Sequence, residues 1–363
     1  MKNILIVNTS GMGIGGITTH MINYLNAIIK EVEYNLQFTI VVTGVRDEKI
    51  LKKFENMGCK LEFLSDRKGQ PIKYVYELKQ LIKKNSYDVI HVHGNSSTMG
   101  IELYIAKSFK IPIRIAHCHN SKCEHSKLHK LLNLLFAHSY TKAVACSKLA
   151  GDWIFGANNF IVLPNAIEYE KFRYNSAIRE QYRKKMKIEK DTILVGHVGN
   201  FNDQKNQTFL IDIYNILQKK VKSELILIGI GPLEAQMKNK VQKLNLEKKV
   251  HFLEARDDVN YLMQAMDVFV LPSKWEGFGI VLIEAQASGL YVVASTEAPK
   301  DTCVTENIRY ISLLDGKEKW CDEILNGLKD YKRKVENTSG LENYSLKKSI
   351  TTLKKLYNID RGK

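Results

Sequence analysis

Two glutamates that flank a glycine-rich segment are the residues of this chain whose types and spacing point most directly to chemistry. Glu276 stands in Trp275–Gly279 (WEGFG), which we predict to end a strand-to-helix connection, and Glu284 follows on the second turn of that helix. Because eight residues span a little over two helical turns, both carboxylates can lie on one side. Backbone N–H groups at Gly277–Gly279 would point towards an anion.

This arrangement suits a nucleotide sugar as ligand. Glu276 would bind sugar hydroxyls, the backbone amides would bind the diphosphate, and Glu284 would bind the ribose diol. The alternative is a pair of solvated surface glutamates. That alternative is weakened because Glu284 stands inside the apolar run Ile280–Ala287.

A lysine in a second loop could neutralise a departing diphosphate. Residues 199–206 (GNFNDQKN) follow a predicted strand and open a helix, which places Lys205 at a strand end. A lone lysine is usually only solvated, but this position favours a functional role. The chain contains no D-x-D, the usual carboxylate pattern for holding a divalent metal on a nucleotide diphosphate. We therefore expect no metal and no cofactor, and Lys205 and helix dipoles would meet the charge.

A glycine loop near the N-terminus matches G-x-G-x-x-G. Gly11–Gly16 (GMGIGG) follows the first predicted strand and precedes a helix, so its backbone could approach a phosphate or sugar closely. A dinucleotide site also needs an acid at the end of the second strand, about 20 residues on. That strand ends at Val42–Gly44, and the next acid is Asp47. The pattern disfavours NAD and leaves another small-molecule role or a plain tight turn.

Paired histidines occur at two strand ends, in His91-Val92-His93 and His117-Cys118-His119. Residues i and i+2 of a strand point the same way, but one H-x-H supplies only two of the ligands zinc needs. A zinc site is therefore disfavoured. For His91 and His93 the simpler interpretation is a buried, hydrogen-bonded histidine, whereas for His119 we favour a role in a cleft.

Composition limits the classes of function. The 363 residues are 44% hydrophobic and 26% charged, which excludes a disordered chain, and a net charge of +15 favours an anionic partner. The six cysteines form no C-x-x-C pair, which is typical of reduced thiols in a cytosolic protein. The N-terminal apolar run Ile4–Val7 is too short for a secretory signal, and no stretch approaches the length of a membrane span.

Two basic segments allow more than one interpretation. Residues 126–142 (SKLHKLLNLLFAHSYTK) are basic and apolar at helical spacing, so this helix could lie on an anionic membrane or pack as an ordinary helix. The cluster Arg183–Lys187 is predicted to be a solvated face. Because such clusters are not interleaved with aromatic residues, nucleic-acid binding finds little support.

The elements that must position these residues alternate between strand and helix. Short β-branched runs alternate with amphipathic stretches in both halves, which predicts an α/β protein with two doubly wound parallel sheets. The charged segment Tyr169–Asp191 lacks strand signals, so we place the boundary between residues 1–168 and 169–345 there. Ligands of such sheets bind outside the carboxyl ends of the strands, in a cleft.

The motifs described above resemble those of a known enzyme family. They are similar to those of family 4 retaining glycosyltransferases of the GT-B fold, of the bacterial capsular and exopolysaccharide type. The E-x7-E with its GFG is the most specific of them. The matching stretches cover most of the chain in the family's order: Gly15–Ile17, Asp88–Gly94, Ile115–Ser121, Val162–Ile167, Gly196–Asn206, Ile228–Leu233 and Asp267–Ser288.

The resemblance implies an enzymatic activity and a cellular location. The activity is retaining, metal-independent transfer of a hexose-type sugar from a nucleotide sugar to an acceptor hydroxyl, with a UDP-sugar as the expected donor. The acceptor would be a polyprenyl-diphosphate-linked oligosaccharide or another glycan in capsule or exopolysaccharide synthesis. The protein would be cytoplasmic and peripheral to the anionic inner face of the cell membrane, with no nucleic acid as partner. A C-terminal helix at about 346–357 would pack back on the first domain, and the two domains would face a central cleft.

The resemblance also implies site residues. His119, Glu276 and Lys205 would be catalytic: Glu276 meets the donor sugar, Lys205 meets the diphosphate, and His119 lies near the reacting sugar. The segment Phe252–Arg256 would face the base largely through its backbone. The donor-binding set is Gly16, Asn200, Lys205, Phe252, Arg256, Glu276, Gly277, Phe278, Gly279 and Glu284. The acceptor-side set is Gly15, Gly16 and His93.

One position departs from the family pattern. Asn200 stands where the family commonly has arginine, and asparagine donates a hydrogen bond without bringing a charge. Lys205 would then carry more of the diphosphate charge, with Lys274 as a further base. Two alternatives stay open: a UDP-sugar epimerase on the same fold, and a non-catalytic partner subunit that binds nucleotide sugar.

Overall fold

A computed structural model describes residues 1–31, 36–123, 125–329, 331, 333 and 339–359. The chain divides into two units: unit 1 comprises Met1–Ala166 with the described residues from Leu346 on, and unit 2 comprises Ile167–Ser345. Strands alternate with helices in both units, and every strand pairing is parallel. The α/β class with two doubly wound sheets is therefore confirmed.

Unit 1 is built around a sheet of seven strands. Their order is β3-β2-β1-β4-β5-β6-β7, so the chain reverses direction across the sheet between β1 and β4. Ile4–Val7 of β1 are fully buried, as expected for a central strand with both faces covered. The strands are β1 Lys2–Asn8, β2 Leu36–Val42, β3 Lys60–Phe63, β4 Val89–Gly94, β5 Ile113–Cys118, β6 Lys142–Ala145 and β7 Ile161–Val162.

The helices of unit 1 include the last helix of the chain. α14 packs on α1, and its apolar face with Tyr357 joins the core beneath β1, β2 and β4. Lys142 fastens its end, because Lys142 Nζ donates to the Leu356 carbonyl at 2.8 Å and to Asn358 Oδ1 at 2.7 Å. The helices are α1 Gly16–Glu31, α2 Glu48–Asn56, α3 Pro71–Lys84, α4 Gly100–Ser108, α5 Ser126–Ala137, α6 Lys148–Phe155 and α14 Leu346–Leu356.

Unit 2 repeats the arrangement with six strands. Their order is β10-β9-β8-β11-β12-β13, with the reversal between β8 and β11. The strands are β8 Ile193–Val198, β9 Ser223–Ile228, β10 Val250–Leu253, β11 Val268–Leu271, β12 Tyr291–Ser295 and β13 Ile308–Ile311. The helices are α7 Ser176–Met186, α8 Gln207–Lys220, α9 Glu234–Lys243, α10 Val259–Ala265, α11 Ile280–Ala287, α12 Gly316–Lys329 and α13 Ser339–Glu342.

A carboxylate anchors α7 to the sheet of unit 2. Asp267 accepts from Arg179 at 2.6 Å, from Arg183 at 3.1 Å and from the backbone N–H of Leu194 at 2.8 Å. Arg183 is buried, with 6% of its surface exposed, and it also donates to three backbone carbonyls. The prediction that Arg183–Lys187 forms a solvated face is therefore wrong for Arg183.

Two further expectations are corrected. The helix predicted over residues 126–142 ends at Ala137, and Lys142 instead opens β6. The strand β13 was not predicted, because Ile308–Ile311 (IRYI) is short and carries an exposed arginine. Within the described ranges, no helix is both long enough and apolar enough to cross a membrane.

Candidate functional site

The two loops at the reversal point of unit 2 carry the strongest candidate residues. Gly199–Asn206 follows β8, and Pro272–Gly279 follows the neighbouring strand β11. In a doubly wound sheet the loops on either side of this reversal diverge and leave a crevice at the strand ends. The topology therefore explains why Lys205 and Glu276, which are 71 positions apart, lie side by side.

Lys205 and Glu276 form a largely buried ion pair. Lys205 Nζ lies 2.6 Å from Glu276 Oε1, and the side-chain exposures are 16% and 5%. The hydroxyl of Ser273 donates to the same Oε1 at 2.6 Å. The stem of Lys205 lies against Gly199, where an added Cβ would be 3.2 Å from its carbons. Glu276 therefore binds the ammonium group for which we predict a diphosphate partner.

Glu284 follows the same loop on α11. Burial raises the pKa of its carboxyl to about 7, because removing water disfavours the charged form. The helix begins after Gly279, whose φ of +78° is left-handed, and this residue offers no side chain to cap the helix. Burial therefore favours the protonated form of Glu284, and any group that donates hydrogen bonds to it would favour its charged form.

Other predicted donor residues have local partners. The Phe278 ring is buried and lies 5.5 Å from the Tyr344 ring, so Phe278 would meet a ligand through its backbone. The Phe252 ring packs edge-on against Phe201, 6.0 Å between centroids. Arg256 forms an ion pair with Asp258, in which Arg256 Nη2 lies 2.8 Å from Asp258 Oδ2. These side chains have structural contacts of their own.

Asn200 is held by a residue that sequence reasoning missed. The amide nitrogen of Gln207, a fully buried side chain at the start of α8, donates to the Asn200 carbonyl at 2.9 Å. The same amide lies 3.2 Å from Nε2 of His197 in β8. Gln207 therefore fixes the loop that carries Asn200 and Lys205. A buried amide within an apolar helix pattern was the signal that could have found it.

The glycine loop of unit 1 occupies the corresponding reversal point after β1. Gly11 has a φ of +87°, and an added Cβ would lie 2.6 Å from the Val45 carbonyl, so this position requires glycine. The Gly15 carbonyl accepts from Thr19 at 2.9 Å and starts α1. At Gly16 an added Cβ would meet nothing within 4 Å. The absence of a side chain at Gly16 therefore opens space rather than improving packing.

The predicted histidines lie together beside that loop. β4 and β5 pair in register with His93 opposite His117, so the two H-x-H motifs share one face of the sheet. His93 Nδ1 lies 2.9 Å from His119 Nε2, and His91 Nε2 lies 3.1 Å from His117 Nδ1. Burial lowers the pKa of His93 and His119 well below the ordinary value, so both rings are neutral at pH 7. His20, which the sequence analysis missed, joins the group from α1.

Two family models match separate stretches of the chain. The model described as "Glycosyl transferase 4-like" matches residues 14–151, and the model described as "Glycosyl transferases group 1" matches residues 178–311. The first stretch includes the paired histidines, and the second includes Lys205, Glu276 and Glu284. The chain belongs to the glycosyltransferases.

Three curated relatives resemble this glycosyltransferase over most of its length. It is 28% identical to the putative glycosyltransferase EpsF of Bacillus subtilis, with 100% of this chain and 98% of EpsF covered. A UDP-Gal:alpha-D-GlcNAc-diphosphoundecaprenol alpha-1,3-galactosyltransferase of Escherichia coli is 27% identical, with 73% and 71% covered. The capsular polysaccharide biosynthesis glycosyltransferase CapH of Staphylococcus aureus is 25% identical, with 79% of each covered.

A solved structure supports the fold of the glycosyltransferase. Anabaena HepE, crystallised with UDP and glucose, matches with a TM-score of 0.80 at 17% identity, over 99% of this chain and 100% of that chain. The expected GT-B fold is confirmed.

Proposed function

We propose that this glycosyltransferase transfers a hexose-type sugar from a UDP-sugar to an acceptor hydroxyl with retention of configuration. The observation that carries the proposal is the Lys205–Glu276 ion pair at the reversal point of unit 2, with Glu284 on the helix that follows. The ammonium group of Lys205 and the backbone N–H groups at the start of α11 suit an anionic diphosphate. A carboxylate beside it suits sugar hydroxyls.

The proposed chemistry assigns one task to each group. When the bond between the sugar C1 and the diphosphate oxygen breaks, negative charge develops on that oxygen, and Lys205 stabilises it. Glu276 accepts hydrogen bonds from sugar hydroxyls and Glu284 from the ribose diol. The acceptor oxygen attacks C1 from the face that the diphosphate leaves, and its proton passes to the departing phosphate. We assign no protein nucleophile, and we propose that no metal bridges the diphosphate.

In unit 1, His119 is proposed to lie near the reacting sugar. His93 holds the His119 ring through the hydrogen bond at 2.9 Å, which fixes its orientation. The open space at Gly16 would admit the diphosphate or the acceptor close to the backbone. Gly15 and Gly16 with His93 therefore form the proposed acceptor side.

The acceptor and the base are proposed from chemistry that the relatives' names print. The E. coli relative is named for UDP-Gal and a diphosphoundecaprenol acceptor, and the S. aureus relative for capsular polysaccharide. We propose the same classes here: a UDP-sugar as donor and a polyprenyl-diphosphate-linked glycan as acceptor, in the synthesis of a surface polysaccharide.

Binding calorimetry tests the donor half of the proposal. UDP, GDP, ADP and NAD would each be titrated into the purified chain, with and without EDTA. We expect UDP to bind and EDTA to leave its affinity unchanged, because Lys205 meets the diphosphate charge. Tight binding of NAD instead, or a UDP affinity that EDTA abolishes, would contradict the proposal.

Product analysis with a UDP-sugar and a lipid-linked acceptor tests the reaction itself. We expect release of UDP that depends on the acceptor. Interconversion of the sugar without UDP release would indicate an epimerase. Donor binding with neither transfer nor hydrolysis would indicate a non-catalytic partner subunit.

The helix α5 supports a location at the inner face of the cell membrane. Leu128, Leu131 and Leu134 recur every three residues and are exposed, the last two by 77% and 72%. Lys127 and Lys130 are exposed on the same helix. Exposed leucines beside lysines are typical of helices that lie on anionic lipid. We therefore propose that α5 holds the glycosyltransferase at this surface, where its lipid-linked acceptor resides.

Replacing Leu131 and Leu134 by serine is expected to weaken binding to anionic vesicles at least tenfold, since each buried leucine contributes about 1.5–3 kcal/mol. Co-sedimentation at low and high salt measures this. Leu314→Ser is the matched control, because Leu314 is 95% exposed but belongs to unit 2. Wild-type protein that stays unbound at low salt would contradict the membrane location.

A further inference from the structure

Five histidines contact one another in unit 1, which is more than the proposed transfer uses. Four come from β4 and the end of β5, and His20 approaches the same face from α1. The His20 ring centroid lies 5.0 Å from those of His117 and His119 and 5.8 Å from that of His93. The register of two strands and the packing of one helix therefore concentrate imidazoles at one place.

Four of these rings have the geometry of a ligand set. One nitrogen from each of His20, His93, His117 and His119 lies within 4.8 Å of the others. Tetrahedral zinc, with Zn–N bonds of about 2.0–2.1 Å, holds its nitrogens ~3.3 Å apart. The nitrogens that lie farthest apart would therefore have to approach one another by up to ~1.5 Å before all four could bind one zinc ion.

The free nitrogens independently indicate a ligand. His117 is fully buried, and its Nε2 has no hydrogen-bond partner among the described residues. Nδ1 of His119 is likewise buried without a partner there. Buried polar atoms are almost always paired in folded proteins, because leaving one unpaired costs about 1–3 kcal/mol. Unpaired ring nitrogens gathered in one cluster therefore call for an occupant.

The surrounding contacts resemble the outer shell of a metal site. His117 uses its other nitrogen, Nδ1, to contact His91 Nε2, and His91 in turn contacts the Tyr357 hydroxyl at 2.9 Å. Such outer partners fix the tautomer and the orientation of a ligating imidazole. These contacts allow His117 Nδ1 to donate to His91 Nε2 and His91 Nδ1 to donate to the Tyr357 oxygen, which is the arrangement that leaves a lone pair on His117 Nε2 for a metal.

We propose that His20, His93, His117 and His119 bind one late first-row divalent cation, with Zn²⁺ the best fit, and that metal bonds replace the His93–His119 hydrogen bond in the loaded site. Neutral imidazoles suit zinc, copper and nickel, whereas calcium and magnesium require oxygen ligands. These ligands are imidazoles of unit 1 and none of them is a carboxylate, so the site differs from the metal site that D-x-D enzymes use. The sequence analysis disfavoured zinc because each H-x-H offers two ligands, and the strand register with His20 removes that objection.

The competing occupant is water. A cavity of about 10 Å³ lies against His20, His91 and His93 and is large enough for one water molecule. A water there would lie beside His20 and His93 without selecting a metal, although His117 and His119 do not line this cavity. Metal binding therefore has to be measured directly, and without substrates, so that its result does not depend on the proposed transfer.

The test is titration of the chelator-stripped full chain with Zn²⁺ against a chromophoric chelator. We expect one Zn²⁺ per chain, and at least 100-fold weaker binding for His20→Gln and for His117→Gln. His129→Gln is the control, because His129 belongs to unit 1 but contacts Ser97 and Trp153 instead of the cluster. Far-UV circular dichroism of the metal-free variants shows whether each of them folds.

A second measurement needs no variant. Co²⁺ bound to wild-type protein is expected to show the visible ligand-field absorption of tetrahedral nitrogen coordination, and Zn²⁺ should displace it at one equivalent. Less than one equivalent of tight Zn²⁺, an octahedral Co²⁺ spectrum, or folded variants that bind as wild type would each overturn the proposal.

Discussion

Replacement of Lys205 by methionine is expected to lower kcat for sugar transfer by about 10²–10³-fold, because the charge that stabilises the leaving diphosphate is removed while the stem is kept. The same change removes the ammonium group that faces the buried Glu276 carboxylate. Removing one partner of a buried ion pair typically costs about 3–5 kcal/mol, so the free energy of unfolding should also fall. Steady-state kinetics and urea denaturation measure the two effects separately.

The double variant Lys205→Met with Glu276→Gln separates stability from catalysis. It removes both charges, so we expect it to recover most of the lost free energy of unfolding while transfer stays at the level of Lys205→Met or below. Lys220→Met is the control, because Lys220 pairs with Asp322 at an exposed position and should change either quantity little. Full activity in Lys205→Met would exclude the proposed role.

The fold could be predicted because its signals are periodic and local. Continuous apolar strands such as Ile4–Val7 indicate a sheet covered on both faces, and amphipathic stretches between them indicate the helices. The weakest element was missed for the same reason: β13 lies at the edge of its sheet, and Arg309 interrupts its apolar pattern. Edge strands are half exposed, so their sequences carry less of this signal.

Contacts between distant residues could be predicted only in part. Lys205 and Glu276 were each placed at a strand end, but their ion pair depends on β8 and β11 being neighbours. Strand order is a property of the whole sheet, and one sequence does not encode it locally. Arg183 shows the same limit, since a basic run looks solvated until Asp267 is placed beside it.

The histidine group shows most clearly what the sequence could not predict, because its assembly depends on the register of the strands. Each H-x-H was visible in the sequence, and each alone suggested at most two ligands. The pairing of His93 with His117, and the approach of His20 from a separate helix, are tertiary facts. A one-residue slip of β5 would turn His117 and His119 to the opposite face.

Glu284 governs the second large effect, which concerns donor affinity. Replacing it by glutamine is expected to weaken UDP binding roughly 10²-fold at pH 8, because hydrogen bonds to a charged group contribute about 1.5–3 kcal/mol. The ribose diol donates to the carboxylate, so the ionised form binds better. Since burial raises the pKa of Glu284 to about 7, wild-type affinity should increase between pH 6 and pH 8.

The ratio of the wild-type and Glu284→Gln affinities isolates this carboxyl, because UDP carries a phosphate that also titrates near pH 6 and affects both proteins equally. We expect the ratio to grow as pH rises through 7. Calorimetric titrations at pH 6, 7 and 8 measure it, and Glu247→Gln, at an exposed position of the same unit, is the control. A ratio that stays constant would show that Glu284 does not bind the donor in its charged form.

Glu284→Gln should weaken UDP binding but increase the free energy of unfolding. The pKa of Glu284 is higher in the folded protein than its ordinary value of 4.5, so the folded state binds the proton more tightly. Its contribution to stability is complete below pH 4.5 and is lost as pH rises towards 7. Glu284→Gln has no such loss, and at pH 8 it should be more stable than wild type by up to about 3 kcal/mol. If Glu284→Gln binds UDP more weakly than wild type but has a larger free energy of unfolding, then the Glu284 carboxylate favours ligand binding and destabilises the folded state.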